Sequence, residues 1–158
     1  MIDFLKTLDQ TDKQILQILQ TDAKITNSQL AKEIGLSPAP TLERVRKLET
    51  SGVIESYHAV LSPEKMGVGV GIYLSISLSS HKKNQINALV EKMSAIDAVV
   101  ECHHVTGVGD FLIKILAKDS KTCHELILNQ LVEIEEIGNM QSMIILKTYK
   151  NEQTFNVN

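Results

Sequence analysis

Two stretches of this chain combine residue types whose spacing can do chemistry. The first is Ser37 to Lys47, SPAPTLERVRK, in which two prolines precede a run carrying Arg44, Arg46 and Lys47. Cations gathered on the outer arc of a helix suit a phosphate backbone, and the same groups can reach guanine edges. Ser37, Pro38, Ala39, Pro40 and Thr41 at the N-terminal end, then Glu43, Arg44, Arg46 and Lys47, are therefore the candidate contacts to double-stranded DNA. The second stretch is Thr106-Gly107-Val108-Gly109-Asp110. Two glycines leave backbone N–H groups approachable, and such groups hold a carboxylate without a cationic side chain. Asp110 can then take an ammonium group, and Thr106 can add a hydroxyl. A ligand carrying both a carboxylate and an ammonium group, as an amino acid does, would suit this pairing. Met140 and Met143 would give it an apolar wall, which favours a side chain such as Leu or Met.

Other chemistries find little support. Cys102-His103 and Cys123-His124 invite a zinc reading, but neighbours on a strand point to opposite faces and cannot share one ion. No metal and no cofactor are expected. His103 and His104 read as one surface and one sheet-face histidine. There is no Ser/His/Asp set, no pair of carboxylates in a shared cleft and no phosphate loop, so no catalytic residues are assigned. Glu133, Glu135 and Glu136 read as a solvated helix end.

Composition sets the outer limits. The 158 residues are 43% hydrophobic and 22% charged, enough for ordinary cores and too apolar for disorder. Net charge is −3, and residues 1–61 hold seven Lys/Arg against eight Asp/Glu, so phosphate affinity must come from local placement. Two isolated cysteines make no disulfide framework. No apolar run has membrane-spanning length and MIDFLKTLDQ lacks the form of a signal peptide, so a cytoplasmic location is expected.

The positioning elements follow from periodicity. Asp9 or Thr11 can cap a helix to about Asp22 with Ile15, Leu16, Ile18 and Leu19 inward. Thr26 and Gln29 have capping-box spacing before Leu30, Ala31 and Ile34. Gly35 suits the left-handed residue that ends a helix, and Ser37 caps the next one, with Leu42, Val45 and Leu48 inward. Helix, tight glycine turn and cationic second helix make a helix-turn-helix. Gly52 follows it, and β-branched Val53 to Leu61 reads as a wing strand. The domains drawn are 1–61, a linker 62–69 and 70–158. In the last, strands at Val70–Leu78, Ala98–Val105, Phe111–Ala117 and Met143–Leu146 alternate with helices over 82–93 and Ser120 to about Glu133. Strand, helix, hairpin, helix, strand is the ferredoxin-like βαββαβ order, giving an α+β fold overall. Phe111-Leu112-Ile113 and Met143 to Leu146 are apolar on both faces, so a second copy is expected to cover the sheet as a homodimer. The tail Thr148–Asn158 looks too polar to do so.

LDQTDKQIL, then NSQLAKEIGLSPAPTLERVRKLETSGVI, resembles the leucine-responsive regulator/AsnC (feast/famine) family, and ECHHVTGVGDFLIKI resembles its ligand-responsive domain. The likeness runs from about Leu8 to Lys147. It implies a winged helix-turn-helix joined to a dimerising ferredoxin-like domain, further assembly such as four dimers in an octamer, and transcription regulation by an amino acid effector. It also implies that the (Ser/Thr)-Gly-x-x-Asp turn lines the effector pocket, kept here as Thr106, Gly107 and Asp110 but with Gly109 where an aromatic often stands. Glu136 to Ser142, with Gln141 and Ser142, would form the other wall. Two other readings share the architecture. A sirohaem decarboxylase would need cations for its tetrapyrrole, yet no arginine follows Lys47. A DNA-packing protein would ignore every amino acid.

Overall fold

The computed structural model describes residues 8–152 and 154–157. The chain forms two compact units, residues 1–60 with 150–158, and Leu61–Tyr149.

In the first unit, helix α1 spans Gln10–Thr21 behind a reciprocal cap: Asp9 accepts from the Asp12 N–H and Asp12 accepts from the Asp9 N–H. Helix α2, Asn27–Glu33, starts on the expected Thr26/Gln29 box. Gly35, at φ 70°, ends it, and the Leu36 N–H returns to the Ala31 carbonyl. Helix α3 is Pro38–Thr50. Ser37 holds its N-cap position, but its side chain makes no capping bond. The reason is local: the third helical residue is Pro40, which has no N–H to offer. Ile15, Leu16, Leu30 and Leu48 form the core. The expected inward stripe of α3 is shifted: Leu42 is 39% exposed, whereas Thr41 is fully buried.

Two expectations fail here. Val53–Leu61 forms no strand. β-branched composition favours a strand only where a partner strand exists, and among its described residues this unit has none. Tyr57 instead donates to the Glu49 carboxylate. Burial and this bond push its hydroxyl pKa up to about 12. The tail, drawn within 70–158, packs on the first unit: Val157 is 7% exposed in that core, and the Gln20 amide pairs both ways with the Phe155 backbone.

The second unit opens with the 62–69 segment, a single 3-10 turn at Glu64–Met66 closed by Gly67. Strand β1 (Val70–Leu78), helix α4 (Lys83–Ser94), strands β2 (Val99–His104) and β3 (Phe111–Ala117), helix α5 (Ser120–Leu126) with a wider turn at Ile127–Leu131, and strand β4 (Ile137–Ile144) follow. The sheet runs β2-β3-β1-β4 with every neighbour antiparallel, as the βαββαβ order requires. Alternate residues Ile72, Leu74, Ile76 and Phe111, Ile113, Ile115 bury one face under Leu89 and Met93 of α4 and Cys123 of α5. Val90, on the same helix, is exposed. Strand β4 begins at Ile137, earlier than the expected Met143, because Ile137 and Met140 already pack on the core.

The other face carries Tyr73, Ser75, Leu112, Lys114, Leu116, Gln141 and Met143, as the strand register shows. No element of this unit lies over it among the described residues. It is less uniformly apolar than expected, because Lys114 pairs with Glu101 at 2.7 Å on this side. That pair holds the Glu101 carboxyl below its ordinary range and raises the lysine.

Candidate DNA-reading helix and effector turn

Helix α3 presents Ser37, Pro38, Ala39, Glu43, Arg46 and Lys47 to solvent, with Pro40 half-buried. Leu42, assigned to the core from sequence, lies between Ala39 and Arg46 on this outward face. The signal was its spacing of three and four from those residues. Asn27 was also overlooked; its side-chain amide donates to the Pro38 carbonyl at 2.8 Å and ties the start of α2 to the start of α3.

Two proposed DNA contacts face inward instead. Thr41 is buried, and its hydroxyl donates to the Ser37 carbonyl at 2.9 Å. Arg44 turns toward α1, its Nη1 lying 2.6 Å from Asp9 Oδ2 and 2.7 Å from Asp12 Oδ1. The inward stripe is therefore Thr41, Arg44, Val45 and Leu48, and Arg44 is not a free cation on the outer arc. The Asp12 N–H and then Arg44 hold the Asp9 carboxyl below its usual range.

The second candidate lies at the β2–β3 turn. Thr106, Gly107 and Val108 face solvent, Val108 at 93% exposure, and Gly107 has φ 137°, a value side chains resist. Asp110 is not an open anion. Its Oδ2 accepts from the Leu78 N–H at 2.8 Å and its Oδ1 lies 2.9 Å from His81 Nε2. These contacts, the Leu78 bond foremost, lower its pKa. Its N–H also donates to the Ile76 carbonyl, so the residue staples the turn to β1. Gly109 explains the missing aromatic: a Cβ there would sit 2.4 Å from Ser75 Oγ and 3.1 Å from the Ile76 carbonyl.

Ser75 links the two halves of this site. It adjoins Gly109 and is the register partner of Gln141 on the uncovered face. Met140 and Ser142 alternate to the helix-covered side, opposite Ile76 and Leu74, and Met140 packs on the core. Of the proposed β4 wall, Gln141 and Met143 share a face with Ser75. Ser77, whose hydroxyl lies 3.5 Å from the Val108 carbonyl, completes a polar strip that sequence reading missed. Period-two alternation with buried Ile72, Leu74 and Ile76 could have found both serines.

Cys102 is exposed on β2 and Cys123 is buried. No group of three metal-capable side chains gathers among the described residues, and none of their helices is long and apolar enough to cross a membrane.

Known proteins share this arrangement. Residues 8–55 match a family described as winged helix-turn-helix DNA-binding, and residues 72–155 match the Lrp/AsnC ligand binding domain. The transcriptional regulator AzlB of Bacillus subtilis is 35% identical over 143 residues, covering 90% of this chain and 91% of its own. The leucine-responsive regulatory protein of Escherichia coli K12 is 34% identical over 148 residues, covering 92% and 88%. A transcriptional regulator of Neisseria meningitidis, solved in complex with L-methionine, superposes with a TM-score of 0.91 at 30% identity, covering 96% of this chain and 97% of that one. Escherichia coli AsnC superposes at 0.85 with 29% identity, covering 94% and 98%. The relatives that share a helix-turn-helix DNA-binding unit followed by this ligand-binding α+β unit are transcriptional regulators and not enzymes. The chain belongs to the Lrp/AsnC family of such regulators.

Proposed function

We propose that the effector of this regulator is an amino acid with an apolar side chain, Leu or Met, held between the 106–110 turn and the Ser75, Ser77 and Gln141 strip. The observation that carries this is the turn itself: exposed through Val108, yet fixed at its base by Asp110 and by the packing of Gly109 on β1. A preorganised loop loses little freedom when it closes on a ligand. The L-methionine complex of the meningococcal regulator supports an amino acid. Asp110 serves chiefly to hold the loop and offers the ammonium only its remaining lone pairs. No further cofactor enters this reading.

Two copies would pair through the open sheet face and assemble further, up to an octamer, with the protein in the cytoplasm. Ile113 is buried under the helices, so the informative variant is Leu112→Glu, which should give monomers by sedimentation where wild type sediments as dimer or larger. Monomeric wild type at micromolar concentration would refute the pairing. For the effector, calorimetric titration with each of the twenty amino acids should show binding by Leu or Met. Gln141→Ala should weaken it about five- to tenfold, as loss of one hydrogen bond does. If none of the twenty binds wild type, the effector reading fails while the DNA-binding function stands.

A further inference from the structure

The start of α1 contains an arrangement that is unfavourable by itself. A reciprocal cap normally pairs a short polar residue with Glu or Gln three positions on. Here both members are aspartates, so two short carboxylates face each other across one turn. Asp9 Oδ1 and Asp12 Oδ2 are used by backbone N–H groups. The two remaining oxygens converge on a single nitrogen, Arg44 Nη1. Asp12 is nearly out of solvent, its side chain 6% exposed. A buried carboxylate without its cation is costly, so the cap and the arginine depend on each other. Arg44 sits midway along α3, one turn from Thr41 and one from Leu48.

We infer that Arg44, with Asp9 and Asp12, is a positioning device for DNA recognition: it fixes the angle of α3 against α1 and does not itself contact DNA. The inference rests on α3 being the reading helix. Asn27 holds the start of that helix, Leu48 its far end, and the arginine its middle. Base contacts tolerate misplacement by only a fraction of an ångström, whereas phosphate attraction is long-ranged. Loosening the clamp should therefore erode sequence preference more than general DNA affinity. It also reverses an electrostatic expectation: removing a negative charge from a DNA-binding unit ordinarily strengthens binding, whereas removing Asp12 should weaken recognition.

The test uses the full chain and a duplex that wild type selects from a random-sequence pool, compared with random duplex of equal length across a salt series. Arg44→Ala and Asp12→Asn should each lower the ratio of selected to random affinity about tenfold, with the salt slope of wild type retained. Lys47→Ala, a phosphate contact, should lower the slope by about one and leave the ratio. Because one nitrogen makes both contacts, Arg44→Lys should keep the ratio within about threefold of wild type. Should Arg44→Ala or Asp12→Asn not fold by circular dichroism, Asp9→Asn, at a half-exposed position, still answers: it should lower the ratio about two- to threefold. The proposal is overturned if Arg44→Ala reduces the salt slope by about one while Asp12→Asn or Asp9→Asn binds both duplexes as tightly as wild type or more so. If Arg46→Ala and Lys47→Ala together leave both affinities untouched, α3 is not the reader, and that reading fails instead.

Discussion

Asp110 and Arg44 show how a single residue can be singled out for its chemistry and then be used differently. Both are charged residues beside a candidate binding element, and both spend that charge inside the protein. The identity of a charged residue is legible in sequence; its partner, 32 residues away for Asp110 and 35 for Arg44, is not. Thr41 and Leu42 exchange places for a related reason. Hydrophobicity put Leu42 inside, but a threonine whose hydroxyl bonds the carbonyl four residues back can be buried at little cost. For Asp110 the consequence is measurable with pH. Its folded pKa is lowered, so its contribution to the turn is fully present above the ordinary 3.8 and disappears as pH falls through the lower folded value. The Leu78 amide signal in a two-dimensional NMR titration should therefore stay constant down to that region and shift only below it. An amide that begins to move well above the ordinary value would show that the carboxylate does not hold it.

At the scale of elements, what could be read was what rests on local physics. The Thr26/Gln29 capping box, the cap at Asp9 (one of the two offered), the glycines ending α2 and α3, and the Phe111–Ala117 strand stand where pattern put them. What could not be read depends on partners outside the window. Strand β4 extends back to Ile137 because β1 offers a pairing edge there, and that extension turns Met140 and Ser142 away from the ligand strip. The Val53–Leu61 stretch fails in the opposite direction, having strand composition and no edge to join. Amide hydrogen exchange separates the two segments. Residues 58–61 should exchange close to the rate of an unstructured peptide, while Leu74 and Ile76, paired on both sides within the sheet, should be protected to the level of global unfolding. Protection across 58–61 comparable to that of β1 would mean that this segment has found a strand partner, as a wing would.

For the molecule as a whole, the chain leaves its first unit after Val60 and returns to it at Lys150, so the DNA-reading unit is built from both ends of the sequence. Nothing periodic announces this. The tail is polar, and Val157, the one deeply buried residue among those described in it, has no repeat around it to mark a helix or strand. Its attachment rests on two observations, burial of Val157 among Ile15, Leu16 and Leu48 and the two-way pairing of the Gln20 amide with Phe155. Burying a valine side chain contributes about 1.5–2 kcal/mol. An exposed pair of hydrogen bonds adds about 1 kcal/mol. Ordering the two tied residues, Phe155 and Val157, costs about 1 kcal/mol each and offsets much of this. A chain ending at Tyr149 should therefore lose about 1 kcal/mol of stability in the first unit and none in the second. Urea unfolding followed by two probes resolves them, the amide signals of α1 for the first unit and those of β1 for the second. The first midpoint should fall and the second stay. Equal shifts in both would mean that the tail stabilises the molecule in some other way, and an unchanged first midpoint would mean that the Val157 contact contributes nothing.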